Sequence, residues 1–566
     1  MIAVYCDKKL DKLKDEIKFS FDFIFKTLGY EYKFINTIEQ LTDNDILIYY
    51  GFNKPEMKDA YVLAFNKIMF YLPVETGLLT KGFYKQSEII KRKRKLKFNT
   101  TITVLSENTF KQPIGYFFDD ELVYGVFNFD LVGNIFFHLV NYEESVFHER
   151  DKHNRIPDES SLFIDQYDYP YVNELLQFFD KFIENAVQDK HGYFIIKKSF
   201  WPQDEVFAAS ISHTVDRLQK WTAGKIFKSF FEDILLFYNI NYIFKSMVNK
   251  LKYIFTNDEE YWNFDIISEL EAKFNVHSTY FFGVSQKHEH DVDYEIEEDI
   301  INEIVKLLKA KNEISLLASY ESFQDDVLGK EKEILNKIIK SDKIGVRQSH
   351  FRYNPKKSFE FHRKNQFIYD SSYKILERNG FKNGIAFPYY IFSKQVNKSK
   401  ETVYNNNSNL EIALTFSDEV LKISRFKEIP FEKAKESIVH LLASVKKLNG
   451  LITLDFSLAN FADIKYNKDI FRFVLKILKQ NKVYKATMQE IADWWKKREA
   501  VVVRESENII FVYFPTALNF FSLKLIGNAE VVSILGMKAE IQGKIIYFSD
   551  IKPDSAVKIV ISNVSK

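Results

Sequence analysis

A chain of 566 residues is too long for one ordinary domain, and 46% hydrophobic with 28% charged residues is the composition of folded protein rather than of a disordered chain. Its 79 Lys and Arg against 78 Asp and Glu leave a formal charge of +1, without the cationic excess on which general nucleic-acid binding rests. Cys6 is the one cysteine, which excludes an intrachain disulfide and a cysteine-built zinc cluster. No stretch reaches the roughly 18 apolar residues of a membrane span.

The start, MIAVYCDKKLDKLK, has a short apolar strand followed by charges. It lacks the apolar core and small-residue cleavage site of a secretory signal, so a cytoplasmic protein is expected. IAVYC and ILIYYG predict buried strands, with apolar residues at helical spacing over Lys9–Leu28 between them. Residues 1–122 therefore read as an α/β domain. Its basic run, Lys91–Lys97, reads as a solvated turn or helix end rather than a specific anionic site.

Residues 123–193 read as a helical connecting region around FNFDLVGNIFFHLVNYEE, an amphipathic pattern with aromatics at three- and four-residue intervals. The polar stretch HERDKHNRIPDESS follows, carrying His148, Asp151, His153 and Asp158. Bounded by Pro157, it reads as a solvated loop rather than a metal site. From 194 to 500 the strand-like runs VFAASIS, VHSTYFFGV, ISLLASY and LITLDFS alternate with helical stretches such as Asp299–Ala310 and Lys330–Ile339. That alternation predicts a parallel α/β barrel or a doubly wound sheet. In a barrel the chemistry sits at the carboxyl ends of the strands. Residues 501–566 (VVVRES, NIIFVYF, FFSLKLIG, AEVVSIL, GKIIYFS, AVKIVIS) predict a small antiparallel β-domain. The one low-complexity tract is NNNSN at Asn405–Asn409.

Several segments carry a resemblance in chain order: WPQDEVFAASISHTVDRLQKW, VHSTYFF, EISLLASYES, VRQSHFRYN, YDSSYKILERNGFKNGIAFPYY, NGLITLDFSLANF and EIADWWKKR. Together they resemble the polysaccharide deacetylase (NodB-homology) family, in its subgroup with an extra N-terminal domain, over about residues 1–500. The resemblance implies an α/β fold: a distorted parallel (β/α) barrel, preceded by an α/β plus helical N-terminal domain and followed by the small β-domain. It also implies hydrolysis of an N- or O-acetyl group on a sugar. A divalent metal, usually zinc, would polarise the carbonyl and activate water, and an Asp would act as general base.

The residues that would do this work are mostly replaced. Where the subgroup has His-Asp-Val-Asp, this chain has His213-Thr214-Val215-Asp216, and a hydroxyl cannot serve as a carboxylate base at neutral pH. Leu317 stands at a metal-binding His position and has no donor atom. Ser349 stands at another, with His350 one residue along. A one-residue shift on a strand reverses the side chain, so His350 would need a bulge to re-aim it. Ser457 takes the place of a His that acts as acid.

Asp216 and His213 are left as catalytic candidates, with Asp216 the weak candidate for metal. Arg347, His350, Asp370 and Tyr320 are candidates for substrate binding; Asp216 and Arg347 read as a structural salt bridge in the barrel mouth before a catalytic pair. In KHEHDVDYE, residues His288, His290, Asp291 and Asp293 read as a solvated turn rather than a replacement metal centre. The aromatics Tyr280, Phe281, Tyr320, Phe351, Tyr373 and Phe456 read as core before sugar-stacking surface. The expected protein is a deacetylase relative without catalysis and without a cofactor. It would bind a glycan or sugar-linked intermediate, or dock a protein partner, in envelope-polysaccharide synthesis. The alternative is a working zinc-dependent deacetylase or amidohydrolase with a rearranged site. A third reading is an interaction protein that uses its terminal β-domain.

Overall fold

The computed structural model describes residues 1–563 other than 43–44, 57, 61–66, 81–89, 96–100, 107–114, 119–121, 191, 221–246, 249–252, 254–258, 324–326, 355–356, 393, 397–401, 405–409, 425–426 and 507. The tract Asn405–Asn409 lies outside the described residues. Among the described residues no helix is long and apolar enough to cross a membrane.

A ten-stranded sheet forms the centre of the molecule. Its parallel strands are β1 (Phe207–Val215), β2 (Thr279–Phe282), β3 (Glu313–Ala318), β4 (Val346–Gln348), β5 (Tyr369–Asp370), β6 (Leu410–Glu411), β7 (Phe416–Ser417) and β8 (Leu451–Asp455), with Val483–Lys485 pairing parallel to β1 off this row. They lie in the order β6-β5-β4-β3-β2-β1-β8-β7, with Tyr389–Tyr390 antiparallel outside β6. β6 and β7 close no ladder with each other, so the sheet curls without sealing. The strands read as near-continuous apolar runs because parallel strands are covered on both faces. Amphipathic helices do the covering, among them Phe264–Phe274, Glu298–Lys309, Leu328–Ile339 and Asn467–Gln480. The helix Met488–Ala500 begins at a capping box, in which Thr487 and Glu490 satisfy each other's backbone N–H.

Before this sheet lies a six-stranded one, parallel except at the edge, in the order Tyr32–Ile35, Ile2–Cys6, Ile46–Gly51, Ile68–Pro73, Val123–Val126, Gly115–Phe118. Val123–Val126 thus belongs with the N-terminal strands rather than with the helices after it. The helix Lys14–Leu28 stops at Gly29, whose φ of +88° is left-handed, and a Cβ there would strike the carbonyl of Lys198. Arg498 is buried beside this turn and donates to the carbonyls of Ser199, Lys26 and Thr27, tying the two sheets together.

Two expectations are corrected. Ile90–Lys95 is a strand, paired antiparallel with Thr101–Ser106, so the basic run is neither turn nor helix end; Leu96 and Lys97 lie outside the described residues. Phe194–Lys198 is not a strand of the central sheet. Its backbone hydrogen bonds go to Leu518–Gly527, making it the edge of one of two four-stranded antiparallel sheets formed by the C-terminal residues.

Candidate functional site

The strands β1, β3, β4 and β8 bring Thr214, Leu317, Arg347 and Asp455 to one end of the central sheet. There they line an open cavity of about 480 Å³, large enough for a sugar-sized ligand. The floor is an ion pair. Arg347 Nη1 donates to Asp455 Oδ1 at 2.5 Å and to Thr214 Oγ1 at 3.1 Å. Nη2 donates to Ser212 Oγ at 3.0 Å and Ser371 Oγ at 3.2 Å, and Nε to the Ser371 carbonyl at 3.3 Å. A guanidinium has five N–H groups, and the chain engages all of them. Asp455 also accepts from Ser212 Oγ (2.7 Å) and Thr214 Oγ1 (3.0 Å), and both ionic side chains are buried. The Phe281 ring lies 4.0 Å from the guanidinium carbon and completes its enclosure.

Arg347 therefore pairs with Asp455 and not with Asp216. Asp216 lies on the cavity wall, 32% exposed, accepting from Ser457 Oγ at 3.3 Å with Arg217 Nε at 3.5 Å. Burial raises its carboxyl above the usual carboxylate range, against the opposing pull of Arg217.

Loops build the rim. β4 ends at Gln348 and the chain turns through Ser349–Phe351 with φ of +54° at both His350 and Phe351, a conformation costly for residues with side chains. This break carries His350 to the cavity wall, the re-aiming that its position one residue past Ser349 required. The loop containing His153 packs over the same end. His153 is buried, and its Nδ1 lies 2.9 Å from Tyr320 Oη. Arg155 donates to Asp151 and to the His350 carbonyl, while buried Asp158 accepts from the N–H groups of Leu376 and Glu377. The stretch expected to be solvated is in fact a cover, held by hydrogen bonds to residues about 200 positions later in the chain.

The second histidine loop behaves alike. Asp291 accepts from the N–H groups of Tyr320, Lys287 and His288, and Asp293 from that of Leu218, so both carboxylates staple the loop. His153, His290 and His350 form a triangle with ring centroids 4.8–5.2 Å apart. Burial and the neighbouring His153, His290, Arg155 and Arg352 push His350 down to about 3, and burial lowers His153 as well.

Of the sequence candidates, Asp216, Arg347 and His350 line the cavity. His213 is fully buried on the other face of β1, its ring nitrogens 2.8 Å from the Phe456 carbonyl and 2.9 Å from Glu271 Oε1. Asp370 is buried against Ser372 and His362. Tyr320 sits behind the rim under Arg352, whose guanidinium carbon is 3.7 Å from its ring centre. Of the aromatics singled out, Phe351 lines the cavity, whereas Tyr280, Phe281 and Phe456 are fully buried.

The donors at this end do not suit zinc as the resembled family would hold it. Leu317 is apolar, Thr214 and Ser349 are hydroxyls, and Asp455 is spent on Arg347. The rings of His153 and His350 meet at 28°, face to face rather than nitrogen to nitrogen. Among the described residues no group of three or more His, Cys, Asp or Glu is set to hold a metal ion.

The model of a family of unknown function, DUF7033, matches residues 3–188. No curated protein matches the chain. Among solved structures, a Mycobacterium smegmatis protein assigned as a polysaccharide deacetylase aligns at 17% identity with a TM-score of 0.34, over 54% of this chain and 96% of that one. Puue allantoinase aligns at 15% and 0.33, over 52% and 92%. A second assigned polysaccharide deacetylase, from Pseudomonas aeruginosa PAO1, aligns at 14% and 0.33, over 52% and 93%.

Sequence reasoning passed over Asp455 and Lys374. Asp455 closes the apolar run LITLD at a strand's carboxyl end, a visible signal two residues before Ser457. Lys374 follows a tyrosine in an irregular segment, with nothing to mark it.

Proposed function

We propose that this chain is a deacetylase-like protein that binds a glycan or sugar-linked intermediate without hydrolysing an acetyl group. One observation supports the reading: Thr214, Leu317 and Ser349, the residues that stand where the resemblance calls for a base and two metal-binding histidines, line the cavity beside a saturated Arg347–Asp455 pair. Of the donors that the resemblance would use, only Asp216 offers a carboxylate to the cavity, and one carboxylate binds a divalent metal weakly. The cavity above remains open and polar-walled, which suits binding.

The purified full chain, dialysed and analysed for bound metal, is expected to carry no stoichiometric zinc and to release no acetate from acetylated chito-oligosaccharides. Zinc that survives dialysis, together with acetate release abolished by a chelator, overturns the reading. That outcome would favour a metal-dependent hydrolase with a rearranged site.

A further inference from the structure

The cations along the cavity wall are not equivalent. Arg347 has no N–H left to offer. Arg155 spends Nε and Nη2 on Asp151 and Nη1 on the His350 carbonyl. Arg217 is 38% exposed and lies beside Asp216 and Asp463. Lys374 differs from all three. Its side chain is 5% exposed and lines the cavity, yet its ammonium donates no hydrogen bond to the described residues. Its nearest carboxylate, Glu419, is 3.9 Å away, beyond hydrogen-bond reach, and 48% exposed, so solvent screens it. Asp455 also favours the charge, but that carboxylate is committed to Arg347.

Beneath the ammonium lies the Phe351 ring, 4.3 Å from Nζ to centroid. Phe351 reaches that place only through the left-handed backbone it shares with His350. The stem of Lys374 is buried while its ammonium faces the cavity with three donors unspent on the described residues, and two side-chain-bearing residues at positive φ are costly. Both features converge on one point of the cavity. Burial accordingly holds the Lys374 amine below its usual range, so an arriving anion would restore its charge.

We infer that the cavity takes its ligand through an anionic group, a carboxylate or a phosphate on a sugar, with Lys374 as the residue that receives it. The inference deepens the binding reading above and rests on it. Lys374 Nζ would donate to the anionic oxygens while Phe351 backs the ammonium, and the neutral part of the sugar would lie along the open wall.

Calorimetric titration of the full chain with glucuronic acid, inorganic phosphate and neutral N-acetylglucosamine tests this, alongside Lys374→Met and Lys374→Gln. At least one anion is expected to bind about tenfold or more above the neutral sugar, and both variants should erase that difference. Preference for phosphate would assign a phosphorylated sugar, and preference for glucuronate a uronic acid; either supports the inference. The Tm of Lys374→Met should equal or exceed that of the parent, because an apolar side chain one atom shorter removes a charge that burial of the stem disfavours. Equal binding of anion and neutral sugar overturns the anionic inference and leaves the glycan reading standing. Binding of none of the three defeats both. Anion preference retained in Lys374→Gln, or in Lys374→Met with a lowered Tm, would make Lys374 a structural residue and overturn the assignment.

Discussion

Arg347 and Lys374 line the same cavity, and both are buried cations. On the floor, every donor of Arg347 meets an acceptor of the chain, and Asp455 is satisfied in return. On the wall, Lys374 has a ring behind it and no hydrogen bond to the described residues in front. The contrast separates two uses of a buried charge. A saturated ion pair holds strands together, and removing one member leaves the other stranded. A cation with no hydrogen bond to the described residues keeps its donors open to whatever enters the cavity.

The largest expected effect breaks the floor. Arg347→Ala leaves Asp455 buried without its partner and should cost about 3–5 kcal/mol in urea unfolding. Arg347→Lys should recover little, since an ammonium cannot reach Asp455, Thr214, Ser212 and Ser371 together. A loss below about 1 kcal/mol for the alanine variant, the range of an exposed pair, would show that the floor is not the anchor described.

Acid should distinguish rim from floor. His350 is held at about 3, against an ordinary value of 6.5, by burial and by its cationic neighbours. The folded rim therefore rejects a proton that an opened rim accepts. Stability conferred by neutral His350 is complete above about pH 6.5 and drains away as the pH falls towards about 3. Hydrogen exchange at residues 285–293 and 349–353 should rise between about pH 7 and pH 4 while β1 and β8 stay protected. Uniform loss of protection would mean that rim and floor form one cooperative unit.

A smaller effect is local. His350→Gly relieves a left-handed backbone and should gain up to about 1 kcal/mol, read as a raised Tm, at the expense of the ring contacts to His153 and His290. A lowered Tm would mean that those ring contacts outweigh the strain.

The sequence by itself determined the local order: apolar runs bounded by turns became strands, and amphipathic stretches became the helices Glu298–Lys309 and Leu328–Ile339 within a residue or two of expectation. The lack of a donor at Leu317 was equally legible, because leucine has no metal-binding atom in any fold. Periodicity and residue chemistry are properties of short windows, and that is why they could be read. The partner of Arg347 lies 108 residues away, on a strand that the sequence does not order beside β1. The stretch from His148 to Ser161 looked solvated because its polarity is local, whereas its acceptors and donors come from residues such as Tyr320, His350 and Leu376. Only the tertiary structure decided which polar groups are satisfied. Hydrogen-bond satisfaction depends on distance in space, and for Lys374 it is the absence of a bond to the described residues that makes the side chain informative.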